Sequence, residues 1–150
     1  MKTRLITFVV VVLAFALLLA MAGHRYFRST GSTDGTIVEV TAKNFEKEVL
    51  QSDRPVFVEF YATWCEPCKK QAPIVEEVAR EYAGRVKFVK IDIDKSPDLT
   101  QQAGIQSIPA MFLLNLQTKT GLVATGFLEK EELVRFIEDG LKAKPADPNP

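Results

Sequence analysis

Residues 55–69 read Pro-Val-Phe-Val-Glu-Phe-Tyr-Ala-Thr-Trp-Cys-Glu-Pro-Cys-Lys. Residues 55–61 are β-branched and aromatic around one acid, the make-up of a strand buried on both sides. Three residues on, Trp64-Cys65-Glu66-Pro67-Cys68 hands that strand over to a helix. The helix is expected from Pro67 to about Tyr82, with Ile74, Val75, Val78 and Tyr82 as its apolar stripe and Gly84 ending it. The placement has a chemical reason. A thiolate, not a thiol, attacks a disulfide, and a helix N-terminus stabilises that anion with its free N–H groups and dipole. Cys65 is then the cysteine exposed for attack, and Cys68, one turn in, resolves the mixed disulfide. Pro67 suits the first turn because it has no N–H to waste there.

Two other uses of a Cys-x-x-Cys pair stand beside this one. Half a zinc site needs further ligands, but the chain has two cysteines in all and a single histidine, His24, far from the pair in sequence. No metal is therefore expected. A purely structural disulfide in an oxidising compartment is the other use.

Outward from this junction, residues 36–40 alternate as a short strand, and Thr41 is placed to cap a helix through about Gln51 with Phe45 and Val49 on one face. Residues 86–93 alternate as a strand, and a short helix near 97–103 follows. Strands at 111–116 and 122–126 flank a turn at 118–121, and residues 129–141 close as an amphipathic helix with Leu133, Phe136, Ile137 and Leu141 inward. The order β-α-β-α-β-α-β-β-α predicts an α/β fold, a mixed central sheet with helices on both faces.

The 150 residues carry 19 basic and 19 acidic side chains, which gives no support for a nucleic-acid partner. Residues 5–22 are apolar at 17 of 18 positions, Thr7 excepted, behind Lys2 and Arg4. As a helix they would span about 27 Å, close to the ~30 Å hydrocarbon core of a bilayer. Residues 1–23 are accordingly read as a signal anchor, with His24, Arg25, Tyr26, Phe27 and Arg28 at the interface. Ala20-Met21-Ala22 also fits a cleavage site, which would make the leader a signal peptide and the product secreted. Either way the body lies outside the cytoplasm, on the periplasmic or extracellular face, because Lys2 and Arg4 stay inside. Residues 24–35 are expected to be a flexible linker, 36–141 one domain, and 142–150, with three prolines, a disordered tail.

Residues from about 36 to 141 resemble the thioredoxin family at several separated places. Phe57-Val58-Glu59-Phe60-Tyr61-Ala62 is similar to the strand leading to that family's active site, and Trp64-Cys65-Glu66-Pro67-Cys68-Lys69 to the site itself. Pro73 matches the proline inside the active-site helix, and Lys90-Ile91-Asp92-Ile93-Asp94 a third-strand motif. Gly104-Ile105-Gln106-Ser107-Ile108-Pro109 resembles the loop whose proline is cis, and Gly126 the glycine lining the substrate groove.

The resemblance implies the thioredoxin fold and thiol–disulfide exchange on protein substrates, with no cofactor beyond a reversible Cys65–Cys68 disulfide. It makes Cys65 the nucleophile and Cys68 the resolving thiol. Glu59 stands at the buried carboxylate position, usually Asp, where it accepts the Cys68 proton; Lys90 matches the lysine paired with it. Trp64, Ile108, Pro109 and Gly126 are implied to bind substrate, with Ser107 where Gly is common and Ala110 where Thr is common. Glu66 stands where thioredoxin has Gly. Its charge near the thiolate favours a reductant of extracytoplasmic protein disulfides, including apocytochrome cysteines, supplied by a membrane dithiol electron donor. A disulfide oxidase or isomerase on the same fold, and a non-catalytic tethered binding module, are the alternatives.

Overall fold

The computed structural model describes residues 35–144. The apolar run 5–22, the linker up to residue 34 and the tail beyond Lys144 lie outside them. Among the described residues no helix is long and apolar enough to cross a membrane.

The elements are β1 (Val38–Glu39), α1 (Glu46–Leu50), β2 (Val56–Tyr61), α2 (Glu66–Glu81), β3 (Lys87–Asp92), α3 (Pro97–Gln102), β4 (Ala110–Asn115), β5 (Thr120–Thr125) and α4 (Lys130–Lys142). The five strands form one sheet in the order β1-β3-β2-β4-β5. β3 runs parallel to both β1 and β2, whereas β4 is antiparallel to β2 and β5. The sheet is mixed, as expected, and β2 lies at its centre.

Alternation along β2 divides the interior into two cores. Phe57 faces α2 and α4, where Val75, Val78, Leu133 and Ile137 pack with Phe88, Met111 and Leu113. Val56, Val58 and Phe60 face the other way, towards Val49 of α1 and Leu99 of α3. Five of the six β2 side chains are buried, so the doubly covered strand read from the sequence is present.

Two local details differ from the sequence expectations. Helix α1 is a short segment of wide i→i+5 turns, closed by the Gln51 N–H donating to the Glu46 carbonyl at 2.9 Å. Thr41 starts the preceding turn through its carbonyl, which accepts from the Phe45 N–H at 3.0 Å. Its hydroxyl does not cap; the Asn44 Oδ1 reaches back to the Thr41 N–H at 2.8 Å instead. The Asn44 side chain is thereby turned back onto Thr41, and no side chain caps α1. The β4–β5 hairpin is also tighter, since Asn115 pairs with Thr120 and the strand starts two residues earlier than expected. Lys119, with φ 54°, closes the turn.

Gly140 lies where α4 crosses β4. A Cβ there would stand 2.4 Å from Leu113 Cδ2 and 3.2 Å from its Cγ. Gly140→Ala therefore overpacks a buried contact at a cost of roughly 1–3 kcal/mol, of which the better helix propensity of Ala returns about 1. The expected result is a lower urea midpoint for the variant; a midpoint equal to or above that of the parent chain would show that Leu113 yields freely.

Candidate active site

Chain connectivity builds the site. The central strand β2 ends at Tyr61, and after residues 62–64 the chain turns into α2 at its N-cap Cys65. The turn is held by the Cys65 N–H donating to the Ala62 carbonyl at 3.2 Å. Cys65 is the N-cap of α2, with extended backbone (φ −80°, ψ 107°), and its Sγ accepts from the Cys68 N–H at 3.2 Å. Glu66 and Pro67 are the first two helical residues, so the helix starts one residue before the sequence expectation. A sulfur at an N-cap receives an otherwise unpaired helix N–H, the environment that stabilises a thiolate.

The two cysteines are joined as a disulfide with Cα atoms 5.2 Å apart. Both sulfurs are thereby used on each other. In this oxidised form Cys65 is 5% exposed and Cys68 3%. The expected contrast between an open and a covered cysteine is absent here, because each sulfur shields the other and Ile108 packs over both, together with Ala62, Tyr61 and Ile93.

Glu59 sits on the face of β2 shared with Phe57, the face on which α2 lies. It is 5% exposed, and among the described residues its Oε1 has no hydrogen-bond partner. Burial pushes its pKa from the ordinary 4.5 up to about 7, opposed in part by the charge of Lys90. Lys90 is its neighbour across the β2–β3 register. The pairing implied by the resemblance is not a contact, however. No Glu59–Lys90 ion pair forms among the described residues, and the Lys90 Nζ lies 5.4 Å from the centroid of the Tyr61 ring. Glu59 is thus a buried acid without a tethered cation, suited to hold and release a proton near neutrality.

The other implied residues lie around the disulfide. The Ile108–Pro109 bond is cis. Ile108 touches the cysteine cluster, and among the described residues no backbone bond occupies its N–H or carbonyl. The Gly126 N–H donates to the Pro109 carbonyl at 2.8 Å, which fixes Gly126, at φ +90°, beside that loop. Trp64 is 63% exposed, and its indole N–H donates to Asp94 Oδ2 at 2.8 Å. Ser107 and Ala110 line a hollow of about 320 Å³ that reaches Phe112 and Val123.

Two participants escaped the sequence reading. Asp94 lies 30 residues from Trp64 and carries no local signal of that bond. Gln71 is 0% exposed, and its amide bonds both backbone groups of Leu128. Its signal was available: positions 71, 75, 78 and 82 share one face of α2, so a glutamine there is a polar residue on an apolar stripe.

Glu59 also sets a pH dependence of stability. Between about pH 4.5 and 7 the folded chain keeps a proton on Glu59 that the unfolded chain has released, so stability falls as pH rises across that window and levels off above it. Glu59→Gln removes the buried charge, and the expected gain at pH 8 is about 3 kcal/mol at roughly 1.4 kcal/mol per pKa unit. Denaturant titrations of both proteins at pH 5 and pH 8 check this; equal slopes with pH would place the titration elsewhere.

Comparison with known proteins agrees with this geometry. The family model described as Thioredoxin matches residues 36–139. Thioredoxin 1 of Nostoc sp. is 41% identical over 103 residues, covering 69% of this chain and 95% of its own. A thioredoxin of Rickettsia felis is 46% identical over 103 residues, covering 68% and 96% respectively. Among solved structures, chloroplastic thioredoxin z superposes with a TM-score of 0.66 at 32% identity, over 72% of this chain and 96% of that one. A buried strand that carries an unpaired acid delivers a cysteine pair to a helix N-terminus beside a cis-proline loop; this is the site of a thiol–disulfide oxidoreductase, and the chain belongs to the thioredoxin family.

Proposed function

We propose that the chain is a membrane-tethered, extracytoplasmic reductase of protein disulfides. The observation that carries the exchange chemistry is the Cys65–Cys68 disulfide at the N-cap of α2, and the strand that leads to it carries the unpaired buried Glu59. In the reduced protein the Cys65 thiolate attacks one sulfur of a substrate disulfide and forms a mixed disulfide, and the other substrate sulfur leaves and takes a proton. Glu59, with its pKa near 7, accepts the Cys68 proton. The Cys68 thiolate then attacks the Cys65 sulfur, and the second substrate thiolate leaves. Two electrons have passed to the substrate, and the chain ends as the disulfide seen here.

The direction rests on the residues between the cysteines. Glu66 puts a carboxylate at the first helical position, where it opposes thiolate formation at Cys65 and so disfavours the stable dithiol of a strong oxidant. Lys69 bonds that carboxylate and keeps it ionised, while answering part of its charge. The compartment rests on the apolar run 5–22 behind Lys2 and Arg4. A reductase on that side of a membrane needs reducing equivalents delivered through the bilayer, hence a membrane dithiol donor.

Equilibration with glutathione tests the direction. The expected midpoint is near −270 mV, as for a reductant; a value near −120 mV would make the chain a disulfide donor. Membrane-impermeant maleimide, applied to spheroplasts after an impermeant phosphine, tests the compartment. The reduced cysteines should be labelled without lysis, and labelling only after lysis would place the domain inside.

A further inference from the structure

We infer that Gln71 is a positioning residue for substrate selection, holding the Gly126–Leu128 segment so that Phe127 forms an apolar rim of the substrate groove. The inference rests on the exchange reaction, and on neither its direction nor its compartment. Gln71 lies three residues after Cys68 on α2, completely buried. Its Oε1 accepts from the Leu128 N–H at 2.8 Å, and its Nε2 donates to the Leu128 carbonyl at 3.2 Å. A side-chain amide that satisfies both groups of one residue acts as a two-point clamp, and an apolar side chain there would leave both without that partner.

The segment is held at its other end as well. Gly126 donates to the Pro109 carbonyl at 2.8 Å, next to Ile108, which packs on the disulfide. Phe127 lies between these two ties. Packing does not absorb it, since it remains 38% exposed, one of few large apolar side chains so placed. A short segment fixed to the active-site helix on one side and to the cis-proline loop on the other has little backbone freedom, so the point from which the Phe127 side chain leaves the chain is set. A partly exposed aromatic held there favours substrates with an apolar side chain beside the cystine.

The test compares two substrates of the full chain in detergent micelles, with dithiothreitol as electron source. Insulin presents a protein disulfide, and oxidised glutathione has no apolar flank. The expected result for Phe127→Ala is a KM for insulin raised about five-fold, with the insulin-to-glutathione selectivity ratio lowered by the same factor. Gln71→Leu should lower that ratio similarly. The double variant should lose little more than either alone, because both act through one segment. Gln71→Glu, which keeps the acceptor for the Leu128 N–H, should recover part of the loss. An unchanged ratio in Phe127→Ala overturns the inference. So does a Gln71→Leu variant in which the glutathione and insulin rates fall together, or in which the midpoint potential moves, for then Gln71 acts on the dithiol itself. A parent chain inactive on insulin but active on glutathione would instead overturn the proposed protein-disulfide function.

Discussion

Strand β2 is hydrogen-bonded along both edges and covered on both faces, and the site depends on that double confinement. Its parallel register with β3 and antiparallel register with β4 leave no freedom to slip, because a shift by one residue would turn Phe57 and Glu59 into the opposite core. The strand therefore ends at a fixed height. The turn after Tyr61 then places Cys65 at the cap of α2, and α2 runs back over the face that carries Phe57 and Glu59. One register thus sets the height of the nucleophile and the depth of the acid together.

Much of this was legible in the sequence because it follows from local pattern. The uninterrupted apolar run of β2, the stripe of α2 and the stripe of α4 each show their burial without help from distant residues. So does the order of the elements, which admits few topologies once the terminal strands are read as a hairpin. The illegible parts depend on tertiary geometry. Nothing local told that α1 would start at Phe45 without a side-chain cap, since Thr41 is a residue type that caps helices. The Lys90 ammonium lies over the Tyr61 ring rather than on Glu59, and register alone does not settle where a long flexible side chain comes to rest. The bond from Trp64 to Asp94 crosses thirty positions and is visible only once β3 lies beside β2.

The surface around the disulfide shows a second kind of economy. Its parts come from three separate places, the strand-to-helix turn, the cis-proline loop and the segment after β5, and the buried Gln71 on the inner face of α2 ties the last of them. They are tied by backbone bonds and by one buried amide rather than by contact between large side chains. Ties of this kind fix position while leaving apolar side chains exposed at the surface, as Trp64 and Phe127 are. A binding surface for extended peptides needs that combination, since the groups that pair with substrate must not be consumed by the fold.

Two glutamates, one on β2 and one at the start of α2, show how environment divides a single chemistry into separate roles. Glu66 is exposed and bonded to Lys69, which holds its carboxyl below the usual range, so it is a permanent charge at working pH. Solvent and salt screen it, and its influence on Cys65 is a bias that ionic strength weakens. Glu59 is buried and unpaired, with its pKa near 7, so its charge comes and goes near neutral pH, eased only in part by the charge of Lys90. The first can shift the balance between thiol and thiolate but cannot carry a proton through the cycle. The second can carry the proton, and the same burial that tunes it costs stability whenever it ionises. Glu59→Gln would remove that cost together with the titratable group, so the proposed proton acceptor and the destabilising charge are one and the same side chain.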